Sequence, residues 1–380
     1  MASSRYRKII RSAVLLAIIA ACGAVLALTY QPRARFANPV TDGFPLPGNT
    51  FHCYHDAIYG GAAHADVLYF GASRTMFAVQ QDEVSAAYRA VTGEDVAVFR
   101  FTTAWANPEL AYVFFRDYLR HNPAPDTALF EFTATAPRRQ AVAHVNPLYP
   151  YLAPFDLYVD ELRSWEFVRG PLFGLSNFLR LHLRHIDLAL NNLLVAGHPF
   201  LVPAGDNCAT PAAEPVEPFR PAPDFDALVT AEADRLLPPG GWDAAGDYDL
   251  LLEAYADDPL VTRRLQGFGR DWTGRRPPKL WNRGPFRDRD LHYFRRILEL
   301  GSDYGVAVGF YHLSGVYFPP TDAEHLALIE RRLGAPVHVM PFDYARVSYH
   351  HYHDLSHVGL EARRLTSAWA ASLIDAAETD

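Results

Sequence analysis

Three residues in two short stretches have the types and spacing that nucleophilic catalysis needs. Gly71-Ala72-Ser73-Arg74 directly follows the apolar run Val67-Leu68-Tyr69-Phe70. Tyr352-His353-Asp354-Leu355-Ser356-His357 precedes the last long helical pattern of the chain. A serine hydroxyl is a weak nucleophile until a base takes its proton, and a carboxylate must hold that base in the right tautomer. His357 and Asp354, three residues apart, supply base and carboxylate from one loop. Ser73 sits at a strand-to-helix turn, where backbone N–H groups can face a developing oxyanion. The turn is not the Gly-x-Ser-x-Gly elbow, because Thr75 stands at the second glycine. Each stretch also has a bland reading: Gly-x-Ser is common turn chemistry, and Asp354 suits a helix cap. His350, His351, His353 and His357 are metal-ligand types. No second cluster with ligand spacing stands out elsewhere, so the sequence assigns neither metal nor cofactor.

These residues must be positioned by the elements around them. Val67–Phe70, Val96–Phe99 and Ala128–Phe132 are short apolar runs, and helical patterns over Asp82–Ala90 and Pro108–Arg120 separate them. Pro108 fits a first helical position, and Leu110, Val113, Phe114 and Tyr118 recur at helical spacing. The alternation returns late: helix Asp288–Leu300, strand Val306–Tyr311, helix Ala323–Leu333, strand Val337–Met340, helix Leu360–Ala376. Short apolar strands alternating with helices predict an α/β fold, a three-layer α/β/α sandwich around a mostly parallel sheet. In such a sheet the loops after the strands form the ligand crevice. Ser73, Arg74, His312 and Ser314 all follow strands. Arg74 has the chemistry to hold an anion or to pair with a nearby acid. Trp105 and Tyr352 offer rings for stacking on a sugar. Glu131, charged within an apolar strand, reads as an edge residue or a paired acid rather than a catalytic one. Between the two halves, 140–287 breaks the rhythm and reads as a mostly helical insertion.

The chain has 380 residues and a formal net charge of -8, with 49% hydrophobic and 21% charged residues. That composition excludes a disordered chain and gives no basic footprint for nucleic acid. Residues 1–30 carry Arg5, Arg7, Lys8 and Arg11 ahead of an uncharged run from Ser12 to Tyr30, about the ~20 residues a membrane span needs. The basic flank predicts a cytoplasmic N-terminus and an exported remainder. A cleaved signal is the other reading, with Ile19-Ala20-Ala21-Cys22 as a lipobox-like variant. The run continues past Cys22 to Leu28, longer than the ~7–15 residues of a signal's apolar region. In an oxidising compartment Cys53 and Cys208 become a possible pair. Residues 31–49 read as a linker.

Gly-x-Ser after the first strand and Asp-x-x-His before the last helix resemble the SGNH (GDSL-type) hydrolases. The closer resemblance is to their membrane-anchored bacterial branch, which includes the proteins of alginate acetylation and teichoic-acid alanylation. It covers about 50–135 and 290–375, so 50–139 and 288–380 read as two halves of one domain. The resemblance implies Ser73 as nucleophile, His357 as general base and Asp354 as its orienter, in a serine esterase or O-acyltransferase. The substrate would be an ester-bearing envelope or exported glycan. It also implies a single-pass protein of the bacterial inner membrane with its C-terminal domain outside, and other acyl-transfer or polysaccharide-export components as partners. Two family features differ here. The loop Phe101–Asn107 lacks the family's glycine, and Thr135 stands near the family's asparagine, with Asn107 as the nearest amide. A non-catalytic envelope protein that binds glycan or scaffolds export machinery is the alternative these differences leave open.

Overall fold

A computed structural model describes residues 64–102, 108–132, 217–236, 288–313, 323–341 and 357–379, with a few isolated positions besides. The chain divides into two compact units, Met1–Cys53 with Val142–Cys208, and Tyr54–Ala141 with Ala209–Asp380. Every element below belongs to the second. The expected span at 1–30 lies almost wholly outside the described residues. Among the described residues, no helix is long and apolar enough to cross a membrane.

The elements run β1 (Val67–Gly71), α1 (Ser73–Ala78), α2 (Gln81–Thr92), β2 (Val98–Thr102), α3 (Pro108–His121) and β3 (Thr127–Glu131). After these come α4 (Phe225–Leu236), α5 (Asp288–Tyr304), β4 (Ala307–His312), α6 (Ala323–Leu333), β5 (Val337–Val339) and α7 (Leu360–Thr379). The five strands form one sheet in the order β2-β1-β3-β4-β5, and all four neighbouring pairs are parallel. The α/β reading with a parallel sheet holds. Of the stretch expected as a helical insertion, α4 is described; it packs on α7 and α2, within the same unit as the sheet.

Strand alternation sends successive side chains to opposite faces. Phe101, Phe70, Phe130 and Phe310 are register partners across β2, β1, β3 and β4. They make a continuous aromatic ladder, with Phe70 stacked on Phe101 at 5.1 Å and on Phe130 at 4.5 Å. Phe115 of α3 meets Phe70 and Phe130 edge-on, and Phe294 of α5 meets Phe310. On the opposite face Val67, Tyr69, Leu129 and Tyr311 pack with the apolar sides of α2, α4 and α7. The Tyr69 hydroxyl donates to the Ala370 carbonyl of α7 at 2.8 Å, and burial pushes its pKa well above the ordinary value. Small residues of α7, Ala368, Ala370 and Ala371, are buried, which lets this helix lie close to the sheet.

The parallel order has one consequence for function. Strand addition reverses direction between β1 and β3, and at such a switch point the loops after the two strands part and leave a crevice. Ser73 follows β1 and Glu131 ends β3, so both stand at this mouth.

The ladder carries much of this core. Phe130→Ala is expected to lower the unfolding free energy by about 3–5 kcal/mol, whereas Leu328→Ala, at a position 37% exposed, should change it by less than about 0.5 kcal/mol. Denaturant titration followed by circular dichroism distinguishes the two.

Candidate active site

The turn after β1 is built around a buried carboxylate. Glu131 Oε2 accepts the Ala72 N–H and the Thr75 hydroxyl, each at 2.7 Å. Its other oxygen, Oε1, forms an ion pair with the Arg74 guanidinium, and both side chains are almost fully buried. Arg74 also donates to the Leu313 carbonyl beyond β4 at 3.1 Å. Thr75 gives its only proton to Glu131, so in its 2.9 Å contact with the Tyr311 hydroxyl the proton is Tyr311's, which also faces the Phe70 carbonyl at 3.3 Å. Burial, and after it the Glu131 charge, hold the Tyr311 pKa well above its ordinary value. A charge taken out of water must be paired and hydrogen-bonded to be tolerated. Here that requirement recruits Ala72, Arg74 and Thr75, the residues that flank Ser73. Gly71 is needed for the same approach: a Cβ there would fall 2.0 Å from Thr75 Oγ1 and 2.8 Å from Glu131 Oε2.

Six residues make a marginal helix, and its last carbonyls find no partner within it. In α1 side chains from elsewhere supply them. Arg100 of β2 donates to Met76 O at 2.7 Å and also to Val79 O. Thr366 of α7 donates to Ala78 O at 2.5 Å, and Gln80 Nε2 to Met76 O at 2.8 Å. Cationic Arg100 also complements the negative end of the helix dipole. Burial lowers its pKa from the ordinary value.

The Thr366 bond, reinforced by the Gln80 N–H donating to Ser367 Oγ at 3.1 Å, fastens α7 to the end of α1. That attachment fixes where the residues just ahead of α7 lie. His357 Nε2 stands 2.8 Å from Ser73 Oγ, although the two are 284 positions apart in sequence. Both side chains are half-buried. When Nε2 accepts the serine proton, the neutral imidazole carries its own proton on Nδ1. The separation falls within the ~2.6–3.2 Å that a nucleophile and its base need. The Phe77 ring lies 4.8 Å from the His357 ring, tilted by 51°.

The other expected site residues fall as follows. Asp354 lies outside the described residues, as do Asn107, Thr135, Trp105, Ser314, Tyr352, His350, His351 and His353. Arg74 is turned inward to Glu131 and Leu313. His312 is buried, with Nδ1 3.3 Å from the Phe132 carbonyl. Glu131 is a paired acid, as its place in an apolar strand suggested. Among the described residues, no group of three His, Cys, Asp or Glu could hold a metal ion. Thr75, Tyr311, Arg100 and Phe77 were not singled out from sequence. Arg100 carried a weak signal, a charge between Phe99 and Phe101 just past the expected strand; the other three carried none. No protein-family model matches the chain, and no curated protein matches it.

The carboxylate network makes a graded prediction. Glu131→Ala leaves the Arg74 charge buried without its partner and should cost about 3–5 kcal/mol of stability. Adding Arg74→Met removes the stranded charge, so the double variant should be more stable than Glu131→Ala alone. Equal unfolding midpoints for the two variants would contradict the pairing.

Proposed function

We propose that this protein is an SGNH-like serine esterase or O-acyltransferase acting on an ester-bearing cell-envelope or exported glycan. Its catalytic domain is a three-layer α/β/α sandwich held outside the bacterial inner membrane by the segment 1–30. The reading rests on one observation above others: at the switch point of a parallel sheet, His357 Nε2 stands 2.8 Å from the Ser73 hydroxyl. The Gly-x-Ser and Asp-x-x-His spacing supports it, as does the fixed turn that holds Ser73.

In the proposed reaction the Ser73 Oγ attacks the ester carbonyl carbon while its proton passes to His357 Nε2. The tetrahedral intermediate collapses, the bond to the alcohol oxygen breaks, and His357 returns the proton to that oxygen. Ser73 is left as an ester. Water or a second hydroxyl group then attacks the acyl carbon, gives its proton to His357, and restores the Ser73 hydroxyl as the acid or new ester leaves. Asp354 is assigned the Nδ1 side of the imidazole, where a carboxylate fixes the tautomer and stabilises the imidazolium. Asn107 and Thr135 are the candidates for contacts to the oxyanion. No cofactor enters these steps.

The detergent-solubilised full chain should react with a fluorophosphonate, and peptide mass spectrometry should place the adduct on Ser73. Ser73→Ala should abolish the label, and His357→Ala should slow labelling about 100-fold or more. Folded wild-type protein that takes no label would favour the non-catalytic reading, in which the crevice binds glycan or serves assembly alone.

A further inference from the structure

Of the large hydrophobic side chains exposed among the described residues, Phe77 is the one beside the candidate site, and it is 41% exposed. It follows Ser73 by four positions on α1, so the two project from the same side of the helix one turn apart. His357 touches both: its Nε2 meets the Ser73 hydroxyl, and its ring lies against the Phe77 ring.

The direction of proton transfer decides what that place faces. His357 must return its proton to the oxygen of the departing alcohol, so the alcohol half of the ester leaves along the imidazole side of Ser73. The acyl carbon, bonded to Oγ, extends elsewhere. A ring against the imidazole therefore borders the alcohol half. The exposed part of an aromatic ring gains free energy when a flat apolar surface covers it. Pyranose rings offer such a surface, with C–H groups on the face and hydroxyls at the rim.

We propose that Phe77 is a specificity-determining residue for the alcohol half of the ester, selecting a flat ring such as a pyranoside over a short-chain alcohol. This inference rests on the reading of Ser73 and His357 as nucleophile and base.

The test compares full-length wild type, Phe77→Ala and Phe77→Trp on ethyl acetate, ethyl butyrate and an O-acetylated methyl pyranoside. Phe77→Ala should lower kcat/KM for the pyranoside about five- to tenfold. The loss should fall mainly on KM, with both ethyl esters within about twofold of wild type. Phe77→Trp should restore the pyranoside rate. An equal loss on all three esters would show that the ring merely supports His357, and a loss confined to ethyl butyrate would place it on the acyl side; either overturns the inference alone. So would a wild type that turns over the ethyl esters but not the pyranoside. A wild type that turns over none of the three overturns the esterase reading and this inference with it.

Discussion

A carboxylate buried at the end of the third strand organises this site. Glu131 stands at the switch point of the sheet, where water cannot satisfy it, and its partners must come from the chain around it. The Ala72 amide, the Thr75 hydroxyl and the Arg74 guanidinium meet that need. All three belong to the turn that carries Ser73. Arg74 reaches on to the Leu313 carbonyl and Tyr311 on to Thr75, so the ends of β1, β3 and β4 are joined through one charge. The cost of an unpaired buried ion, several kcal/mol, therefore opposes movement of the turn.

The far end of α1 brings in the second half of the site. Its unsatisfied carbonyls accept from Arg100 on β2 and from Thr366 on α7. The short helix thus joins the first strand to the last helix of the chain, and His357 arrives at Ser73 because α7 is held there. Hydroxyl and imidazole belong to parts of the chain with no local relation, and two sets of hydrogen bonds on a six-residue helix make them neighbours.

Much of the architecture was legible in the sequence because a parallel sheet buries both faces of its strands, and such strands read as apolar runs. Val67–Gly71, Thr127–Glu131 and Ala307–His312 lie within a residue of the expected runs. β2 was expected over Val96–Phe99 and spans Val98–Thr102. Arg100 looked like a strand end, while in the fold its guanidinium turns to the carbonyls of α1. The helix expected to stop at Leu300 runs on to Tyr304 through Gly301. A glycine there reads as a stop signal, but a Cβ at Gly301 would fall 2.3 Å from Val308 Cγ2, so close packing requires the residue. Helix α1 is too short to show a period. The juxtaposition of Ser73 and His357 was readable from motif spacing and from the rule that loops after parallel strands share one crevice. The partners of Glu131 were not, because they converge from elements far apart in the chain. The expected membrane span apart from Val14 and Ala17, the linker and Asp354 lie outside the described residues.

The measurement closest to the central claim is capture of the acyl intermediate itself. The full chain is mixed with an activated acetyl ester, quenched in acid within the first turnover, digested and mapped by mass spectrometry. The account predicts an acetyl group on Ser73 that disappears on longer incubation and does not form in His357→Ala on the same timescale. Acetyl groups on lysines alone, or on Ser73 at equal rates with and without His357, would contradict it.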